Sequence, residues 1–168
     1  MTKLSENFNL EEFYNPAEMD GRPLPAEIEA NIRFIVDKGL QPIRTKWGRP
    51  LKVNSCYRDP IHNEKIGGSK TSAHLKALAV DIDASSDSFN DELGALIINM
   101  VKAGEIECDQ LIFEDFTAPD GFKWIHYGIR KDHISNVPRK MYMIAVAPKP
   151  FKYEPLTPEM AKKFSIEL

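Results

Sequence analysis

Apolar residues follow helical spacing in the first third of the chain and two-residue alternation through much of the remainder. Ile28, Ile32, Ile35, Val36, Leu40, Ile43 and Trp47 form one stripe at helical steps, which predicts a helix introduced by Pro23 and Pro25. Gly39 and Pro42 fall inside the stripe, so a kink or break is expected there. Ahead of it, Phe8, Leu10, Phe13 and Tyr14 among turn formers predict a short helical turn over 9–14. After Pro50, Leu51 and Val53 alternate with Lys52 and Asn54, a short strand that runs into Ser55-Cys56-Tyr57-Arg58. Residues 59–73 read as one long polar loop, of the kind that compact domains keep for function.

Leu78 to Asp83 reads as a buried strand ending in acids, followed by a helix over 88–103 with Leu93, Leu96, Ile97, Met100 and Val101 on one face. Residues 109–115 and 123–130 alternate and are joined by a turn containing Pro119, Asp120 and Gly121, which predicts a hairpin. Residues 139–147 alternate again. From Pro148 onward, prolines precede a short possible helix, and 148–168 is expected to be an appendage to a domain spanning 1–147. Helices first, then a mostly antiparallel sheet with one helix inserted, is an α+β arrangement.

Composition narrows the function classes. The chain has 168 residues, enough for one domain with a real core, and a net charge of −3. That balance argues against a nucleic-acid partner, which needs clustered Lys and Arg. No run approaches the roughly 18 apolar residues of a membrane span, so membrane insertion is not expected. The opening MTKLSENFNLEEFY lacks the apolar core of a secretory signal, which predicts synthesis without an export address. Cys56 and Cys108 form no CxxC and read as reduced, buried residues.

Four histidines are present, and their neighbourhoods carry the chemistry. His74 ends the polar loop just ahead of the strand that holds Asp81, offering a nitrogen and an oxygen ligand of the sort catalytic zinc accepts. Alternation in 123–130 puts Trp124, His126, Gly128 and Arg130 on one face, with Ile125, Tyr127 and Ile129 on the other. By spacing alone, His126 is a ligand, an exposed residue or a satisfied one. His62 and His133 lie in polar segments and read as exposed. Asp83 and Asp109 read as strand-end acids, with a supporting role beside a ligand as the alternative.

Tyr57-Arg58-Asp59-Pro60, Asn63, Gly67-Gly68, Ser72-x-His74, Ala79-x-Asp81, Asp109-Gln110-Leu111-Ile112 and Trp124-x-His126 occur in that order. Together they resemble the zinc D-alanyl-D-alanine carboxypeptidases and phage L-alanyl-D-glutamate endopeptidases, a family that shares its fold with the hedgehog signalling domain. The resemblance covers residues 8 to 147. It implies a zinc site built from His74, Asp81 and His126 with an open fourth position, the mark of a catalytic rather than a structural site. Arg58 matches the family arginine that holds a substrate carboxylate or carbonyl, a task suited to a forked, permanently charged guanidinium. A solvated loop residue is the alternative. Ser72 matches a family serine that touches substrate or supports the loop, and Trp124 is expected to contact substrate.

Three departures matter. Several branches of the family place an acid three residues before the last histidine, where this chain has Lys123. A simple hairpin of 109–115 with 123–130 would instead set Glu114 opposite Trp124 and Ile112 opposite His126, bringing Glu114 diagonally to the ligand on its face. Glu114 is therefore the expected general base, with Asp115 presented instead if the register slips by one. Ala77 and Cys56 stand where the family has glycine, which marks positive φ or close backbone approach.

The expected function is hydrolysis of a peptide bond in the stem or cross-link peptides of peptidoglycan, by a monomer that a phage releases through a holin or carries in its virion. A non-catalytic zinc-stabilised wall-binding or virion protein, and a cytosolic D-Ala-D-Ala dipeptidase, are the alternatives.

Overall fold

The computed structural model describes residues 1–116, 123–129, 140–146, 152–163 and 167–168. The turn expected at 119–121, His133 and Arg130 lie outside these. The described elements form the expected α+β arrangement, with one sheet of six strands in the order β1-β2-β4-β3-β5-β6. In chain order the strands are β1 (Lys52–Ser55), β2 (Ala79–Asp83), β3 (Gln110–Phe116), β4 (Trp124–Gly128), β5 (Met141–Val146) and β6 (Lys152–Pro155). Every neighbouring pair is antiparallel except β3 and β5, which run parallel.

The stripe beginning at Ile28 forms α1 (Ala26–Ile35), which continues through a π-helical turn over Val36–Leu40 into α2 (Gln41–Trp47). The expected break is therefore a local widening. Pro42 has no N–H to give, and its ring crowds the carbonyl one turn back; a wider turn relieves both. Gly39 sits in that turn against the Tyr127 ring of β4, where a Cβ would stand 2.5 Å from the ring. Gly48, at φ 71°, closes α2 in the left-handed conformation that glycine adopts without strain.

One correction concerns 59–73. Part of this expected loop is a helix, α3 (Pro60–Lys65), with Asp59 as N-cap accepting from Ile61 N (2.9 Å) and Pro60 at the first helical position. Its six residues are too few for an apolar stripe to announce it. The second long helix, α4 (Asp87–Lys102), starts at Ser86, whose hydroxyl accepts from Phe89 N (3.2 Å). Beyond 148, β6 pairs with β5, and α5 (Pro158–Lys163) carries the buried Ala161.

The two faces of the sheet do different jobs. Val80, Ile82, Leu111, Phe113, Ile125 and Tyr127 are buried against the helices, each worth about 1.5–3 kcal/mol when fully removed from water. Alternate residues on the same strands are thereby forced to the other face, where they line a cleft. The expected hairpin register is observed, with Glu114 opposite Trp124 and Ile112 opposite His126.

Gly94 of α4 lies against the Phe113 ring, with no room for a Cβ. In an exposed helix Gly94→Ala would stabilise by about 1 kcal/mol. Here it is expected to destabilise by about 1–3 kcal/mol, read as a lower urea midpoint at unchanged slope.

Candidate metal centre

His74 belongs to a 3-10 turn, Ala73–Lys76, which three local contacts hold in place. The Ser72 hydroxyl accepts from His74 N (3.3 Å), Arg58 N donates to the His74 carbonyl (3.1 Å), and the Asn31 amide donates to the Lys76 carbonyl (2.9 Å). The turn ends at Ala77 with φ 52°, so the expectation drawn from the missing glycine holds: this position is left-handed. A non-glycine residue there carries strain of about 1–2 kcal/mol.

The His74 ring is oriented by Cys56, whose backbone carbonyl lies 2.8 Å from Nδ1. A carbonyl can only accept, so Nδ1 carries the proton and Nε2 presents a lone pair to the cleft. Carbonyl-oriented imidazoles of this kind are the usual support for a metal ligand. Asp81 and His126 come from adjacent antiparallel strands, directly opposite one another. His126 Nδ1 is 3.0 Å from Asp81 Oδ1, and His74 Nε2 is 3.2 Å from His126 Nδ1 and 3.3 Å from Asp81 Oδ1.

These three atoms can hold a metal. Four ligands about 2.0–2.1 Å from a tetrahedral ion stand about 3.3 Å apart, and the three edges of 3.0–3.3 Å match one face of that figure. The donor set of two imidazole nitrogens and one carboxylate oxygen suits zinc. Both histidines are buried, and His126 Nε2 has no hydrogen-bond partner among the described residues. Burial by itself would raise the pKa of Asp81. The two imidazoles beside it outweigh that, His74 first and then His126, and hold the carboxyl well below the usual range. The site thus keeps the Asp81 carboxyl ionised, as a metal ligand must be.

The triad sits in a cleft of about 890 Å³. Arg58, Ser72, Glu114 and Trp124 line the same cleft, and Glu114 is buried. Asp115, the alternative base, does not line it; it lies at φ 55° where the β3–β5 pairing breaks register, a bulge of the sort that re-aims neighbouring side chains. Lys123 turns its ammonium to Asp87 at the start of α4 (2.6 Å). Asp83 accepts from Ser85 N (2.7 Å) and the Asn90 amide (3.3 Å), so it closes the strand end. His62 lies 3.7 Å from Glu18, outside the cleft lining.

The motif residues Asn63, Gly68 and Gln110 were given no role in the sequence reading, and Met143 and Tyr153 escaped it. Asn63 donates to the Ser69 carbonyl (3.1 Å) and accepts from Arg58 Nη1 (3.3 Å), tying the arginine to the 66–72 segment. Gly68 packs on that asparagine with no room for a Cβ. Gln110, Met143 and Tyr153 also line the cleft. Alternation in 109–115 placed Gln110 on the face of Ile112, whereas nothing in the proline-rich run around Tyr153 singled it out.

Compared with known proteins, residues 24–108 match the family model described as peptidase M15. The match takes in Arg58, Ser72, His74 and Asp81, and ends ahead of Glu114, Trp124 and His126. No curated protein matches the chain.

Both cysteines are free and buried. Burial, with the charge of Asp109 behind it, pushes the Cys108 thiol up to about 12. Burial and the charge of Asp81 push Cys56 higher still. Both thiols are expected to resist an alkylating reagent at pH 8 in the native protein and to react fully in denaturant, as counted by mass spectrometry.

Proposed function

From the chain's membership of the peptidase M15 family, we propose a zinc-dependent peptidase that hydrolyses a bond in the stem or cross-link peptides of the bacterial cell wall. The observation that carries this reading is the convergence of His74 Nε2, Asp81 Oδ1 and His126 Nδ1 in a cleft that Glu114 also lines. His74, Asp81 and His126 would hold the zinc. A zinc ion with an open coordination position polarises a carbonyl and lowers the pKa of water toward 7.

The remaining work falls to side chains of this chain. Glu114 takes a proton from the attacking water on a carboxylate oxygen. It then delivers that proton to the amine nitrogen as the carbon–nitrogen bond breaks, so one carboxylate serves as base and then acid. Arg58, held by Asn63 at 3.3 Å, keeps its guanidinium at the cleft to bind a substrate carboxylate or carbonyl oxygen. Trp124 borders the peptide, and Ser72 supports the turn that carries His74. Because Lys123 is engaged with Asp87, the acid function passes to Glu114 on the neighbouring strand.

Glu114 in the cleft favours an enzyme over a non-catalytic wall-binding protein. The phage endopeptidases that the chain resembles also carry a glutamate shortly after this Asp109-Gln110-Leu111-Ile112 run, which supports a phage-type lysis or virion enzyme with peptidoglycan peptides as its partners.

Mass spectrometry of wall peptides incubated with the protein is expected to yield products that a zinc chelator abolishes, and their masses name the bond. A protein that binds zinc yet releases no product from any wall chemotype is not a peptidase. Glu114→Gln should lower kcat by about 10²–10⁴ with zinc content unchanged. Lys123→Ala should leave kcat within about twofold and stability within about 1 kcal/mol, as expected for a partly exposed ion pair.

A further inference from the structure

Tyr153 belongs to the sheet edge farthest from the polar loop, yet it lines the cleft. The register explains how. Tyr153 pairs directly with Ala145 of β5, and residues opposed across an antiparallel pair share a face. Met143, two residues from Ala145, lines the cleft on that same face. Ala145 is buried and small, so the strand between β6 and β3 carries no bulky side chain at this level to keep the phenol from the cleft. Tyr153 lines the same cleft as the carboxylates Glu114 and Asp81 and the guanidinium of Arg58. The ring is 50% exposed, so it is not a core residue. Burial first, and then those two carboxylates, raise its pKa, so the hydroxyl stays protonated and able to donate.

We propose that Tyr153 is a substrate-binding residue, whose hydroxyl donates a hydrogen bond to a carbonyl or carboxylate oxygen of the bound peptide beside the oxygen held by Arg58. The inference rests on the peptidase reading above. It assigns the C-terminal strand a part in recognition: β6 carries a donor to the cleft from the side opposite the His74 turn.

Tyr153→Phe removes one oxygen and keeps the ring that covers Ala145. In turnover of soluble wall peptides the variant should lose at least about five- to tenfold in kcat/KM, chiefly through KM, as expected for one hydrogen bond to the substrate. Zinc content and Tm should not change. Calorimetric binding of the same peptides to zinc-loaded Glu114→Gln protein, with and without Tyr153→Phe, reads the contact without catalysis and should show the same loss. Unchanged affinity and unchanged KM would overturn the proposal, and a lowered Tm in Tyr153→Ala would then mark the ring as edge packing. If the wild type cleaves nothing but binds the peptides, the peptidase reading fails and a five- to tenfold weaker affinity in Tyr153→Phe still supports the contact. If no form binds them, both readings fall.

Discussion

Asp81 stands directly opposite His126 in the β2–β4 ladder, and the rest of the site depends on that pairing. Side chains alternate across a sheet, so a slip of one residue would turn either the carboxylate or the imidazole toward the helices and bring Ile82 or Ile125 to the cleft in its place. The core prevents the slip. Val80, Ile82, Ile125 and Tyr127 are all buried on the opposite face, and exposing them would cost far more than the few kcal/mol that separate folded from unfolded chains. The π-helical turn fits the same scheme, since Gly39 gives Tyr127 its space one residue from His126. Two of the three candidate metal ligands are thus held by packing on the far side of the sheet.

The third candidate ligand is held differently. His74 sits on a short turn, and its orientation comes from local hydrogen bonds to Ser72, Arg58 and the Cys56 carbonyl. The departures from family glycines acquire a physical meaning here. The contribution of Cys56 is a backbone carbonyl, which any residue supplies, while its thiol fills buried space. Ala77 accepts left-handed strain that glycine would avoid, but its buried methyl returns packing of similar size. Neither substitution disturbs the convergence of the three donor atoms.

Much of this was readable in the chain. The alternation in 109–115 and 123–130 led to the observed hairpin register, and with it to Glu114 on the ligand face. The stripe from Ile28 marked α1 and α2, though not the π-helical widening, because periodicity records which face is buried and not how the backbone absorbs a proline. Helix α3 was missed because six residues give no repeat to detect; only its Asp59-Pro60 start carried a signal. Tyr153 was missed for another reason. Its place in the cleft depends on β6 pairing with β5, and on the small Ala145 opposite it. Such information is distributed over two segments, and neither is unusual alone.

The central claim is that His74, Asp81 and His126 together bind one zinc ion. X-ray absorption at the zinc edge of the loaded protein tests it most directly. The account predicts a nitrogen/oxygen shell at about 2.0–2.1 Å with the outer scattering of two imidazoles and no sulfur. A sulfur shell at about 2.3 Å, or a spectrum with fewer than two imidazoles, would place the metal elsewhere and contradict it.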